Sequence, residues 1–164
     1  MLKVSSPRAK LMNAPVRPGK IEWIGVRPER RAPMRVVETV EFDTKLGLVG
    51  DRYEGRSGSR HVTLIGKADL VAIADFLGLS DVPPDLLRRN ILVSGVNLLA
   101  LKDKRFRLGS ALLEMTGECH PCSRMEEIFG EGGYNAVRSH GGITALVLEG
   151  GMVRLGDAFE VLPG

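Results

Sequence analysis

The feature that most constrains this chain is a succession of short apolar and β-branched runs, each closed by glycine or a turn. The segment "GKIEWIGVRP" reads as a strand, with Ile21, Trp23 and Gly25 on one face and Glu22, Ile24 and Val26 on the other. "RVVETVEF" predicts a second strand, "HVTLI" a short buried one, and "NILVSGVNL" a strand running into a turn. "LKDKRFRLGS" reads as turn-rich, and "ALLEMT" as a strand that delivers the chain into a cysteine loop. The closing "GGITALVLEGGMVRLGDAFEVL" predicts a hairpin around Gly150–Gly151, its second arm interrupted near Gly156.

Helical signals are few. Leu70, Ile73, Ala74 and Leu77 have helical spacing within "KADLVAIADFL", and Gly78 is the stop. "PDLLRRN" allows one or two turns, and "SRMEEIFG" predicts a helix with Ser123 as N-cap and Glu126 at the capping-box position. Strand–helix alternation this irregular disfavours a doubly wound sheet. It favours a mainly β (α+β) fold, a closed or partly closed β-barrel with short helical insertions. Residues 1–18 are expected to form a basic tail leading into the first strand, because Pro7, Pro15 and Pro18 oppose an amphipathic helix. Residues 19–164 are expected to form one domain.

Composition narrows the function classes. A net charge of +3 is too mild to demand nucleic acid. No apolar run approaches the roughly 18–20 residues that span a bilayer, so no membrane role is expected. Two cysteines without a secretory segment point to a reducing, cytoplasmic setting.

Both cysteines lie in "TGECHPCSRME". Their C-x-x-C spacing admits half a zinc site or a redox pair. However, no second pair with zinc-finger spacing exists, and the βαβ context of thioredoxin-type motifs is missing. Cys122 precedes an expected helix start and Arg124, an environment that favours thiolate, so it is the better nucleophile or metal ligand. Cys119 remains a resolving thiol or a spectator. The loop Gly47–Arg60 carries four glycines and Arg52, Arg56 and Arg60, suited to phosphate but equally to solvent. Arg88 and Arg89 are either helix-end charges or cations at a cavity mouth. Asp51 and Asp157, each after a glycine, and His140 read as turn residues. No G-x-S-x-G supports a serine hydrolase.

Taken in order, "GLVGDRY" (Gly47–Tyr53), "RHVTLI" (Arg60–Ile65), "LLRRNILVSGVNL" (Leu86–Leu98), "PCSRM" (Pro121–Met125) and "GGMVRLGD" (Gly150–Asp157) resemble the MOSC family, named for the C-terminal domain of molybdenum-cofactor sulfurases. The resemblance runs from about Gly19 to Leu162 and implies a barrel of the pyruvate-kinase-insert type. It also implies binding of the molybdenum cofactor (molybdopterin), or carriage of sulfur destined for it.

By that resemblance Cys122 is the metal-ligating cysteine, with Cys119 a second candidate for the reacting sulfur. Arg88 and Asn90 fall on pterin-phosphate contacts, joined by Arg52, Arg60 and Arg124. Thiolate is the protein ligand suited to a soft, sulfur-rich metal centre. Two cysteines cannot supply the four ligands of an ordinary iron–sulfur cluster, and no pyridoxal phosphate domain is expected within these residues. Expected partners are therefore a cysteine desulfurase or an electron-donating reductase. A non-catalytic anion-binding barrel and a thiol redox protein using Cys119 and Cys122 are the competing readings.

Overall fold

In a computed structural model, residues 6–53 and 58–163 are described. The strands are β1 (Gly19–Val26), β2 (Arg35–Val36), β3 (Thr39–Asp43), β4 (Gly47–Leu48), β5 (Val62–Gly66), β6 (Ile91–Ser94), β7 (Arg105–Leu108), β8 (Ala111–Glu118), β9 (Ile143–Glu149), β10 (Gly151–Arg154) and β11 (Ala158–Val161). The helices are α1 (Pro7–Met12), α2 (Lys67–Leu77), α3 (Ser123–Phe129) and α4 (Gly133–Val137), with 3-10 turns at Pro84–Leu87 and Leu98–Leu101.

Seven strands hydrogen-bond in the order β11-β7-β8-β9-β5-β6-β1, and β1 pairs back onto β11 through Gly19–Phe159 and Lys20–Ala158. The barrel is closed, which removes its sheet edges. Strands β10, β3 and β4 form a separate three-stranded sheet. Among the described residues the only parallel pair, β5 with β6, is joined through α2, the usual form of a parallel crossover.

Two cores explain why β5 and β6 are apolar on both faces. Val62, Leu64, Ile91 and Val93 point into the barrel, where Phe106 and Phe159 stack with ring centroids 4.6 Å apart. Ile65 and Leu92, one pleat out of phase, pack outside the barrel against Leu70, Ile73, Leu87, Met125 and Val137. That second core is where α2, α3 and α4 dock. Each large apolar side chain fully buried in either core contributes about 1.5–3 kcal/mol.

Several elements differ from the sequence reading. A register shift between Ile21 and Trp23 bulges β1, so Ile21, Ile24 and Val26 all join the barrel core while Trp23 packs with the outer one. Pro7 opens α1 instead of breaking it: it occupies the first helical turn, and the Ser6 hydroxyl accepts from Ala9 N–H at 3.0 Å. "RVVETVEF" splits into β2 and β3, which pair with different neighbours. Arg105–Leu108, read as turn, is strand β7.

The closing segment is not a hairpin. β9 stays in the barrel against β5 and β8, β10 leaves to pair with β3, and β11 returns to β7 and β1. The N-cap of α3 is Cys122, not Ser123. Glu126 caps the following helix: its carboxylate accepts from Gly132 N–H (3.2 Å) and Tyr134 N–H (2.8 Å) at the start of α4.

Candidate functional site

The chemistry-bearing residues gather at one end of the barrel. Arg27 follows the last residue of β1, Arg88–Asn90 lead into β6, Cys119 follows β8, and Gly141–Gly142 precede β9. Gly142 has φ +89°, and a Cβ there would lie 2.0 Å from Leu64 O. Only glycine lets the chain turn so close to β5 on its way into β9.

Two cavities open there. The first, of about 410 Å³, is lined by seven arginines (Arg27, Arg30, Arg31, Arg52, Arg88, Arg89 and Arg124), together with Cys122 and apolar residues including Met125 and Ile128. Among the described residues no acidic side chain lines it. The second, of about 420 Å³, is lined by Cys119, Arg60, Tyr53, Thr63, Glu118, His120 and Thr144. Arg27 and Arg89 line both and form the wall between them.

That wall is held from beneath. Asp51, 2% exposed, accepts from Arg27 Nε (3.1 Å), Arg27 Nη2 (2.9 Å) and the Arg27 backbone N–H (2.8 Å). It also accepts from Tyr53 N–H (3.2 Å) and Asn90 Nδ2 (3.2 Å). Burial alone would push its carboxyl up, but the Arg27 guanidinium and the two backbone N–H groups outweigh that and hold it below the usual carboxylate range. Arg89 is fixed in turn, donating from Nε to Gly141 O (2.7 Å) and from Nη1 to Leu87 O (2.9 Å).

Arg88 adopts a left-handed backbone (φ 57°) and donates from Nη1 to Ala32 O and from Nη2 to Glu29 O (3.1 Å), pinning the Arg30–Arg31 segment over the first cavity. Burial lowers its pKa from the usual arginine value, and Arg124, Arg27 and Arg52 add to the effect. The Nε of Arg124 is buried without a hydrogen-bond partner. Crowded guanidinium groups with an orphaned donor and no lining carboxylate are what an anionic ligand with several oxygens would satisfy.

The sequence candidates thus divide. Arg52, Arg88 and Arg124 share the first cavity with Cys122, which is exposed and a free thiol. Arg60 and Cys119 belong to the second. Burial pushes the Cys119 thiol up, opposed by smaller pulls from Arg89, Arg60 and Arg27.

Asn90 lines neither cavity. It is fully buried, its Nδ2 donating to Gly25 O (3.1 Å) and Asp51 and its Oδ1 accepting from Thr63 N–H (3.2 Å) and Oγ1 (3.1 Å). Arg56 lies outside the described residues.

Arg27, Arg30, Arg31 and the organising role of Asp51 were missed by sequence reasoning, whereas Arg89, read as a helix-end charge or a cation at a cavity mouth, lines both cavities. "VRPERR" carried the signal: three cations immediately beyond a buried strand end. His61 is a buried structural residue whose Nδ1 accepts from Val147 N–H at 3.0 Å, and His140 Nδ1 lies 3.0 Å from Asp69 Oδ1. Among the described residues no cluster of three or more His, Cys, Asp or Glu is placed to hold a metal ion, and no helix is long and apolar enough to cross a membrane.

A closed seven-stranded barrel with a free thiol on an arginine-lined cavity defines the class. The family model of the MOSC domain matches residues 47–160, and the chain belongs to that family. The fold is similar to the crystal structure of the YuaD protein from Bacillus subtilis (TM-score 0.79, 21% identity, covering 88% of this chain and 96% of that one). It is also similar to YiiM from Escherichia coli (TM-score 0.67, 18% identity, 87% and 69%) and to YiiM from Geobacillus stearothermophilus (0.70, 14%, 88% and 75%). No curated protein matches by sequence.

Proposed function

We propose that the first cavity binds the molybdenum cofactor, with Cys122 as the thiolate ligand to the metal and the arginines on the pterin phosphate. The observation that carries this reading is the meeting, among the described residues, of an exposed free cysteine with seven arginines and no carboxylate on one cavity. Arg52, Arg88 and Arg124 supply guanidinium donors suited to phosphate oxygens, and the unpartnered Nε of Arg124 is the donor most in need of one. Asp51 and Asn90 act beneath the site, fixing Arg27. When bound, the cofactor supplies a soft redox centre for reducing N-hydroxylated compounds, with electrons from a separate reductase.

The competing sulfur-carrier role uses the same cysteine and would draw sulfur from a desulfurase. It predicts a persulfide on Cys122 of the metal-free protein, which intact-mass measurement reads directly. A dithiol–disulfide role is disfavoured because the two thiols open onto different cavities.

Metal and pterin analysis of protein from a cofactor-producing host tests the proposal. Wild type and Cys119→Ser are expected to carry molybdenum and to release fluorescent oxidised pterin, and Cys122→Ser to lose the metal. Wild-type protein containing neither metal nor pterin would falsify it.

A further inference from the structure

We infer that the second cavity is a binding site of its own, built for a small organic monocarboxylate. The inference does not rest on the cofactor reading above. At about 420 Å³ the cavity is in the lower part of the range of small-molecule sites, about 300–1,000 Å³. It is separate from the arginine cavity yet adjoins it along Arg27 and Arg89.

Both wall residues are fixed before any ligand arrives, Arg27 by Asp51 and Arg89 by Gly141 O and Leu87 O. A ligand on the Cys119 side therefore meets preorganised guanidinium groups and pays little to order them.

The charge of the lining selects the ligand. Arg27, Arg60 and Arg89 are the cations, but Glu118 lines the same space and Asp51 neutralises Arg27 from behind. The small positive excess suits one carboxylate, whereas a phosphate dianion is matched by the seven arginines next door. Arg60, exposed at the rim, and the Thr63 and Tyr53 side chains complete a mixed polar and aromatic lining.

The burial that pushes the Cys119 thiol up also keeps it a neutral lining group at physiological pH. It adds no negative charge to repel an anion.

The test is a backbone-amide NMR titration of the full chain, free of cofactor, with benzoate as the probe. Saturable shifts are expected at Thr63, Cys119 and Thr144, with Arg88 and Arg124 unmoved. Arg60→Ala is expected to weaken binding about ten-fold, the scale of one charge-assisted hydrogen bond. Arg60 is exposed, so the variant keeps the fold, and matching spectra outside the cavity verify this. Arg124→Ala is expected to leave benzoate binding unchanged.

Shifts confined to the first cavity, no saturable shift at all, or an unchanged affinity in Arg60→Ala would each overturn the inference. Absence of molybdenum and pterin from the purified protein is a different outcome. It bears on the cofactor reading and leaves the carboxylate site standing.

Discussion

The cavity beside Cys122 and the cavity beside Cys119 are nearly equal in volume, about 410 and 420 Å³, but differ in how their charge is arranged. The first concentrates arginines from four separate stretches of chain: 27–31, 52, 88–89 and 124. Nothing acidic lines it, and its thiol is exposed. The second mixes cations with Glu118, and its thiol is pushed up by burial. One wall serves both, so Asp51 and Asn90 support both cavities from positions that line neither. The difference teaches that two spaces of nearly equal size can differ sharply in charge, and so in the ligand chemistry they suit.

The largest expected effect is on that wall. Asp51→Ala leaves Arg27 without its carboxylate and Asn90 Nδ2 short of an acceptor, and should cost about 3–5 kcal/mol in denaturant unfolding. If both cavities kept their ligand affinities in a folded Asp51→Ala protein, the shared-wall picture would fail.

Gly142→Ala forces a Cβ against Leu64 O at φ +89° and should cost about 1–3 kcal/mol. Because Cys119 N–H donates to Gly142 O at 2.8 Å, the NMR shifts it causes should centre on Cys119 and spare Cys122.

Acid should act through two groups. The depressed pKa of Asp51 gives stability that is present above the ordinary carboxylate range and is lost as pH falls through its folded value. Burial lowers the His61 pKa from its ordinary value of 6.5, so below about that pH the unfolded chain takes up a proton that the folded one refuses. Stability should therefore fall as pH drops below about 6.5, before Asp51 titrates. His61→Gln should flatten that first decline in thermal melts between pH 7.5 and 5; an identical slope would assign it elsewhere.

The smallest expected effect is kinetic. Iodoacetamide should modify exposed Cys122 before half-buried Cys119, and Cys119 should catch up only above the ordinary thiol range, where it ionises. Peptide mass spectrometry at a series of pH values reads both rates, and equal rates at neutral pH would erase the contrast between the two thiols.

Parts of this arrangement were legible in the chain. β5, α2 with its Gly78 stop, and β6 follow from apolar runs and local signals, because neighbouring residues decide them. Cys122 at a helix start was legible too, although it takes the cap position itself. The β1 bulge was not, since it answers to the register against β6, and an alternation rule knows only its own strand. β7 was hidden for a related reason. "RFRL" becomes a strand because β8 and β11 flank it, burying Phe106 and Leu108 while Arg105 and Arg107 face outward.

Arg88 and Arg89 show the same limit within the site. They are adjacent and chemically identical, yet Arg88 anchors the Arg30–Arg31 segment through Ala32 O and Glu29 O while Arg89 forms the wall through Gly141 O.

By itself the sequence determined the class of fold, the family and a cysteine beside cations, because spacing, turn chemistry and ordered motifs are properties of neighbouring residues. Tertiary structure alone decided that two cavities flank the Arg27–Arg89 wall, that Cys119 and Cys122 open onto different ones, and that Asp51 holds that wall. Those facts depend on the pairing of β1 with β6 and on the loop after β4 folding onto the end of β1, which bring residues 27, 51 and 90 within hydrogen-bonding distance, and no local pattern records that approach.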